Sequence, residues 1–165
     1  MRHTANLAKR SRGPGVTLSA GELMAAGLCP RHIEENKNVP MFKTTIPNSA
    51  AGKFRGVLVV SMRPYLPDQV AGVTKITSKY PGAHGGPVHY GSPEDLGIDS
   101  SKLSEPDFGD AVTIREGEIP VFWACGVTPQ AAIMESKINF AVTHAPGHMF
   151  ICDILTSEMT SQVMS

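Results

Sequence analysis

The chain has 165 residues, of which 41% are hydrophobic and 18% charged, the balance of one globular domain with a real core rather than a disordered or fibrous segment. Fifteen Lys and Arg against fifteen Asp and Glu give a formal charge of zero, so no field favours nucleic acid, and no apolar run reaches the ~18 residues of a membrane-spanning helix. Cys29, Cys125 and Cys152 form no CxxC pair, which argues against a disulfide framework or zinc knuckle and fits a reducing compartment.

Residues 1–18 read as a tail. Arg2, Lys9, Arg10 and Arg12 precede the first acid, Glu22. With Thr4 and Ser11 this is the composition of a mitochondrial presequence, so a mitochondrial matrix location is expected, with a cytoplasmic one as the alternative. A plain disordered basic tail fits as well, because Gly13, Pro14 and Gly15 break any helix. Ser19 and Glu22 then have capping-box spacing, and Leu23 to Ala26 before Gly27 and Pro30 predict a short helix. Residues 31–40 are polar and mixed in sign, an expected exposed connection, and 44–52 are turn chemistry. Residues 55–62 contain GlyValLeuValValSerMet, a strand whose apolar side chains suit burial on both faces. Arg63 follows at its end, and Pro64 stops it. Val70, Val73, Ile76 and Tyr80 give residues 68–80 a helical period.

A glycine-rich loop at 84–91 carries His84 and His89 around a short strand. Ser92 and Pro93 open a short helix. The loop 105–110 holds Glu105, Asp107 and Asp110, and residues 112–114 with 119–122 predict a hairpin. The rest of the chain is organised around 120–153. A strand over 119–124 loosens at Gly126, and Thr128 caps a helix whose first turn holds Pro129. Strands over 138–143 and 149–154 follow, joined by an AlaProGly turn. Phe122, Trp123, Phe140 and Phe150 are assigned to the core. The fold class is α+β, a mixed sheet of short strands with short helices. A single domain is expected over 19–155, with a frayed tail over 156–165.

A strand running into a helix N-terminus presents free backbone N–H groups that favour anions and developing oxyanions. Here they belong to Gly126, Val127 and Thr128, beside the Cys125 thiol, whose pKa such a terminus lowers. An inert thiol at an ordinary strand-to-helix turn is the plainer reading. Arg63 is the best carboxylate clamp, because a guanidinium grips carboxylate in a fixed fork; pairing with the acidic loop 105–110 is the structural alternative. His84, His89, His144 and His148 are the acid and base candidates. Asp110 and Asp153 could orient a histidine. His144 and His148 are four residues apart, but Pro146 and Gly147 exclude a helical metal site. The histidine and aspartate numbers also permit a metal site, for instance His84, His89 and His144 with a carboxylate, which no spacing singles out.

The blocks VVSMRP (59–64), HGGPVHYGSPEDLGI (84–98), PDFGD (106–110), PVFWACGVTPQ (120–130) and THAPGHM (143–149) occur in the order and spacing of one family. Across about 19–153 the chain resembles the D-glutamate cyclase family. That resemblance implies a hydro-lyase that closes D-glutamate to 5-oxo-D-proline with loss of water, with D-glutamate as its small-molecule partner. It implies no cofactor, nucleic acid or membrane partner. Tyr90 and Ser92 stand where the family usually has Ile and Asp, which puts any role of that carboxylate in question. Family members also carry a substantial region before the helix placed at Ser19. Without it the chain is expected to expose one face of the strand at 57–62, to self-associate as a homo-oligomer or aggregate, and to cyclise weakly or not at all. Two other functions follow from the same residues: an inactive isoform serving as a binding module, and a metal-dependent hydratase of another small carboxylic acid.

Overall fold

The computed structural model describes residues 19–148. Four strands form one antiparallel sheet, β1 (Met41–Pro47), β2 (Val57–Tyr65), β3 (His89–Tyr90) and β4 (Ile119–Ala124), in the order β1-β2-β4-β3. β2 and β4 are central, and their register runs from Val60 opposite Ala124 to Tyr65 opposite Ile119. Four α-helices accompany the sheet: α1 (Ala20–Ala25), α2 (Arg31–Glu34), α3 (Val70–Thr77) and α4 (Val127–Glu135). The architecture is α+β, and no helix among the described residues is long and apolar enough to cross a membrane.

The period-2 alternation of strands divides β2 and β4 between two cores. Val60 and Met62 join Phe42 and Phe122 on one face, closed by Leu96, Ile98 and Val112. On the other face Tyr65, Val121 and Trp123 meet Leu23 of α1 and Val70 and Val73 of α3. Val59 and Met41 meet Val127 and Ala131 of α4 on that same face. Burying each such side chain contributes roughly 1.5–3 kcal/mol. The bare face expected along 57–62 is therefore not present. Val59, Val60, Ser61 and Met62 are all buried, because α1, α3 and α4 supply the second layer.

Other expectations need correction. The supposed turn at 44–52 begins as β1, an edge strand held partly by Thr44, whose Oγ1 donates to the Leu58 carbonyl at 2.9 Å; Pro47 is tolerated at its end because an edge needs no further ladder bond. The supposed exposed connection at 31–40 contains α2, with Arg31 and His32 buried. Residues 112–114 feed Val112 and Ile114 into the core without forming a strand, so the hairpin is absent and β4 pairs with β2 and β3 instead. Residues 138–143 form no strand, and Phe140 is 73% exposed rather than in the core. Phe122 and Trp123 are core residues as expected. The strand at 149–154, Phe150, Cys152 and Asp153 lie outside the described residues.

Candidate functional site

β2 carries Arg63 into the interior by strand alternation alone. Val59, Ser61, Arg63 and Tyr65 share the face that the helices cover. Arg63 is 2% exposed, and its guanidinium carbon lies 4.4 Å from the centre of the Trp123 ring, a cation–π contact with the aromatic that gains most from a cation. Among the described residues no carboxylate pairs with it, and Nε has no hydrogen-bond partner. Burial lowers its pKa, against the influence of Tyr65 and Cys125, yet an arginine does not surrender its proton in a protein. Among the described residues this interior cation thus has no counter-charge.

The acidic loop does not supply one. Asp107 accepts the Lys43 backbone N–H at 2.8 Å, and Asp110 accepts that of Asn38 at 2.9 Å. Both bonds hold the loop against the start of β1, and Asp110 orients no histidine through them.

His84 is brought to Arg63 by the loop between α3 and β3. Its backbone sits at φ 85 and Gly85 follows at φ 62, an uncommon left-handed pair that turns the chain sharply. Ala83 and Gly85 donate to the Tyr80 carbonyl, both at 3.0 Å. Gly86 leaves the room that Ser78 Oγ fills, since a Cβ there would lie 2.5 Å from it. The His84 ring then reaches the end of β4, with Nδ1 2.8 Å from the Ala124 carbonyl. A carbonyl only accepts, so Nδ1 carries the proton and Nε2 keeps its lone pair in the neutral ring. Although His84 is exposed as a residue, its ring is flanked by protein. Burial is the first cause lowering its pKa and the Arg63 charge adds to it, while the Ala124 bond opposes both.

Cys125 follows on the same strand, its N–H donating to the Val59 carbonyl at 3.0 Å. Burial pushes its thiol pKa up, against the Val127 N–H and the Arg63 charge, so the thiol is protonated at neutral pH. The helix terminus expected to lower that pKa acts in the foreseen direction but is outweighed by desolvation. α4 begins two residues earlier than the capping pattern predicts, with Gly126 at its N-cap. Thr128 lies inside the helix and does not cap it; its Oγ1 bridges the Val59 N–H at 3.0 Å and the Val59 carbonyl at 3.2 Å, pinning α4 to β2. Its N–H is taken by the Cys125 carbonyl. Val127, Gln130 and Ala131 are the buried residues of α4.

The remaining candidates stand apart. His89 pairs across from Phe122 and stacks on its ring, 6.1 Å between centres, on the sheet face opposite Arg63. Its Nε2 donates to the Ser92 carbonyl at 2.8 Å and lies 3.6 Å from Asp95, which ties β3 to the turn at 93–96. His144 offers its backbone carbonyl to Gln130 Nε2 at 2.9 Å, and His148 Nδ1 lies 3.1 Å from the Pro146 carbonyl. The glycine between them, Gly147, packs against Asn38. Among the described residues no three His, Cys, Asp or Glu side chains gather as a set of metal ligands; His84 and His89 lie on different faces.

Two polar groups of this face escaped the sequence reading. Ser61 is 1% exposed and its Oγ has no partner. Gln130 is buried with Oε1 unpartnered. The signal for Ser61 was a lone hydroxyl inside an apolar strand, where it has little structural use.

Residues 15–153 match the family model described as D-glutamate cyclase. A protein from Mycolicibacterium gilvum named "Putative hydro-lyase" is 60% identical over 137 residues, covering 83% of this chain and 52% of that protein. A relative of the same name from Pseudomonas syringae pv. syringae is 60% identical over 133 residues, 81% of this chain and 50% of its own length. One from Burkholderia multivorans is 53% identical over 146 residues, 88% of this chain and 55% of its own. The chain thus spans about half the length of the curated relatives it matches.

Proposed function

The chain belongs to the D-glutamate cyclase family, and from that premise we propose that the Arg63 face binds D-glutamate and closes it to 5-oxo-D-proline with loss of water. The observation that carries this reading is the buried Arg63 guanidinium with no carboxylate partner among the described residues. A structural arginine at that depth would be paired, because burying an unpaired charge costs several kcal/mol. A substrate carboxylate is the missing anion.

The reaction removes two protons from the α-ammonium, forms one N–C bond to the γ-carboxyl carbon and breaks one C–O bond. Arg63 holds the α-carboxylate, which fixes the nitrogen within reach of the γ-carbon. His84 Nε2 accepts a proton from the ammonium, and the lowered pKa keeps that nitrogen unprotonated at neutral pH. At the start of α4 the Gly126 N–H is the donor left for the oxygen that gains negative charge as the tetrahedral centre forms, since the Val127 N–H serves the Cys125 thiol and the Thr128 N–H the Cys125 carbonyl. His84 passes that first proton to the γ-carboxyl oxygen, making the hydroxyl; the Cys125 thiol, protonated at neutral pH, protonates it as it leaves as water, and the second proton released from nitrogen restores the thiol. His89, His144, His148 and Asp110 have no step in this scheme.

The test is turnover of D-glutamate by this chain and by a protein of the relatives' full length, with 5-oxo-D-proline measured as the product. Formation of the lactam by either, lost in Arg63→Met, is the expected result. Binding of D-glutamate without turnover in both would favour the binding-module reading, and no binding at all would overturn the assignment of the face.

A further inference from the structure

Arg63 is not alone in lacking a partner. Ser61 lies two residues earlier on β2, directly across from Trp123, on the face that carries Arg63. At strand rise its Cα is about 6.4–6.8 Å from that of Arg63, a gap that one carboxylate group can bridge. The hydroxyl is 1% exposed and finds no hydrogen-bond partner among the described residues. Thr44 and Thr77, two other buried hydroxyls near this part of the sheet, show the contrast: the Oγ1 of each donates to a backbone carbonyl. An unmade hydrogen bond at such depth costs roughly 1–3 kcal/mol, and alanine or valine would fit an apolar strand without that cost.

Resting on the cyclase reading for the identity of the ligand, we infer that Ser61 is a substrate-positioning residue whose Oγ–H donates to the carboxylate held by Arg63. The two side chains then form one subsite, a charged fork and a neutral donor on the same edge of the ligand. The guanidinium supplies attraction. The hydroxyl fixes the rotation of the carboxylate about the fork, and so the direction of the amine attached to its neighbouring carbon. The expected ligands are small acids with a free carboxylate beside a nitrogen-bearing carbon, in both the open and the lactam form.

The experiment compares Ser61→Ala with the parent chain in two readouts, thermal unfolding without ligand and calorimetric affinity for D-glutamate, L-glutamate, glutarate and 5-oxo-D-proline. A positioning role predicts an unchanged or raised Tm with an affinity loss of about 10- to 100-fold, the range of one hydrogen bond to a charged group. A lowered Tm with unchanged affinity would show a structural hydroxyl and overturn the inference. So would a parent chain that binds none of the four acids. Weakened binding in a chain that turns over none of them would uphold Ser61 and sink the cyclase reading, so the two fail separately.

Discussion

Two arginines are buried in this domain, and their surroundings are opposite. Arg31, on α2, is 5% exposed and ion-paired with two carboxylates. Its Nε lies 2.9 Å from Glu34, and one terminal nitrogen lies 2.5 Å from Glu118 while the other donates to the Thr113 carbonyl at 3.2 Å. It forms one wall of a polar cavity of about 350 Å³ that also includes Tyr65, Arg115 and Glu116. Arg63, on β2, is as deep and, among the described residues, has the Trp123 ring and no carboxylate beside it. The first arginine is a tie between α2 and the turn before β4. The second has a charge in search of an anion. Burial alone does not separate structure from function; the presence of a carboxylate beside the guanidinium does.

Removing each charge should break the comparison most sharply. Arg31→Met leaves Glu118 buried without its cation, and chemical denaturation should show a loss of about 3–5 kcal/mol. Arg63→Met removes a charge that nothing answers, so the same measurement on ligand-free protein should stay within about 1 kcal/mol of the parent or rise. Its D-glutamate binding should nevertheless vanish. Equal destabilisation by both substitutions would make Arg63 a second structural arginine.

His84→Gln comes next. If Nε2 is the base, kcat should fall by roughly 10²–10⁴-fold with little change in KM. His89→Gln, on the opposite face, should leave kcat nearly unaltered.

Arg63→Lys refines the contrast. A point charge replaces a bidentate fork, so KM should rise by about 10- to 100-fold while unfolding is unchanged. Unaltered kinetics would remove Arg63 from the site.

The histidine also predicts a pH dependence. Its folded pKa is below the ordinary 6.5, so the unfolded chain binds more protons between the two values, and stability rises with pH across that window. The contribution is fully present above 6.5 and is lost as pH falls through the folded value. kcat/KM should follow the same limb and level off before neutrality, and His84→Gln should flatten both profiles. The smallest effect is expected at Cys125. Its thiol is protonated at rest, so alkylation at neutral pH should be slow, and Cys125→Ser, which keeps a proton donor, should reduce turnover less than about 10-fold.

The sequence was most legible where one chemical demand dominated. Continuous apolar content marked β2, helical spacing of Val70 and Val73 marked α3, and Gly126 before a helix-compatible run marked α4. It was misleading where tertiary contacts override local pattern. Residues 138–143 have the composition of a strand but no neighbouring edge among the described residues, and β1 was hidden behind Pro47, Asn48 and Ser49, which end a strand rather than forbid one. At the site, Arg63 was readable as a charge at the end of a buried strand. The separation of His84 from His89 was not, because it depends on which side of β4 each ring falls. Ser61 was passed over because composition cannot show that a hydroxyl lacks a partner.

The most direct test of the account is to follow the arginine Nε–H signals of the chain by NMR while D-glutamate is added. The Arg63 signal should shift and its exchange with water should slow, as an anion takes the donor that has no partner among the described residues, while the signal of Arg31, a side chain already ion-paired with Glu34 and Glu118, should stay where it is. An Arg63 signal that does not respond up to the solubility limit of the ligand, or one that responds no more than Arg31, would contradict the assignment of this face as the substrate site.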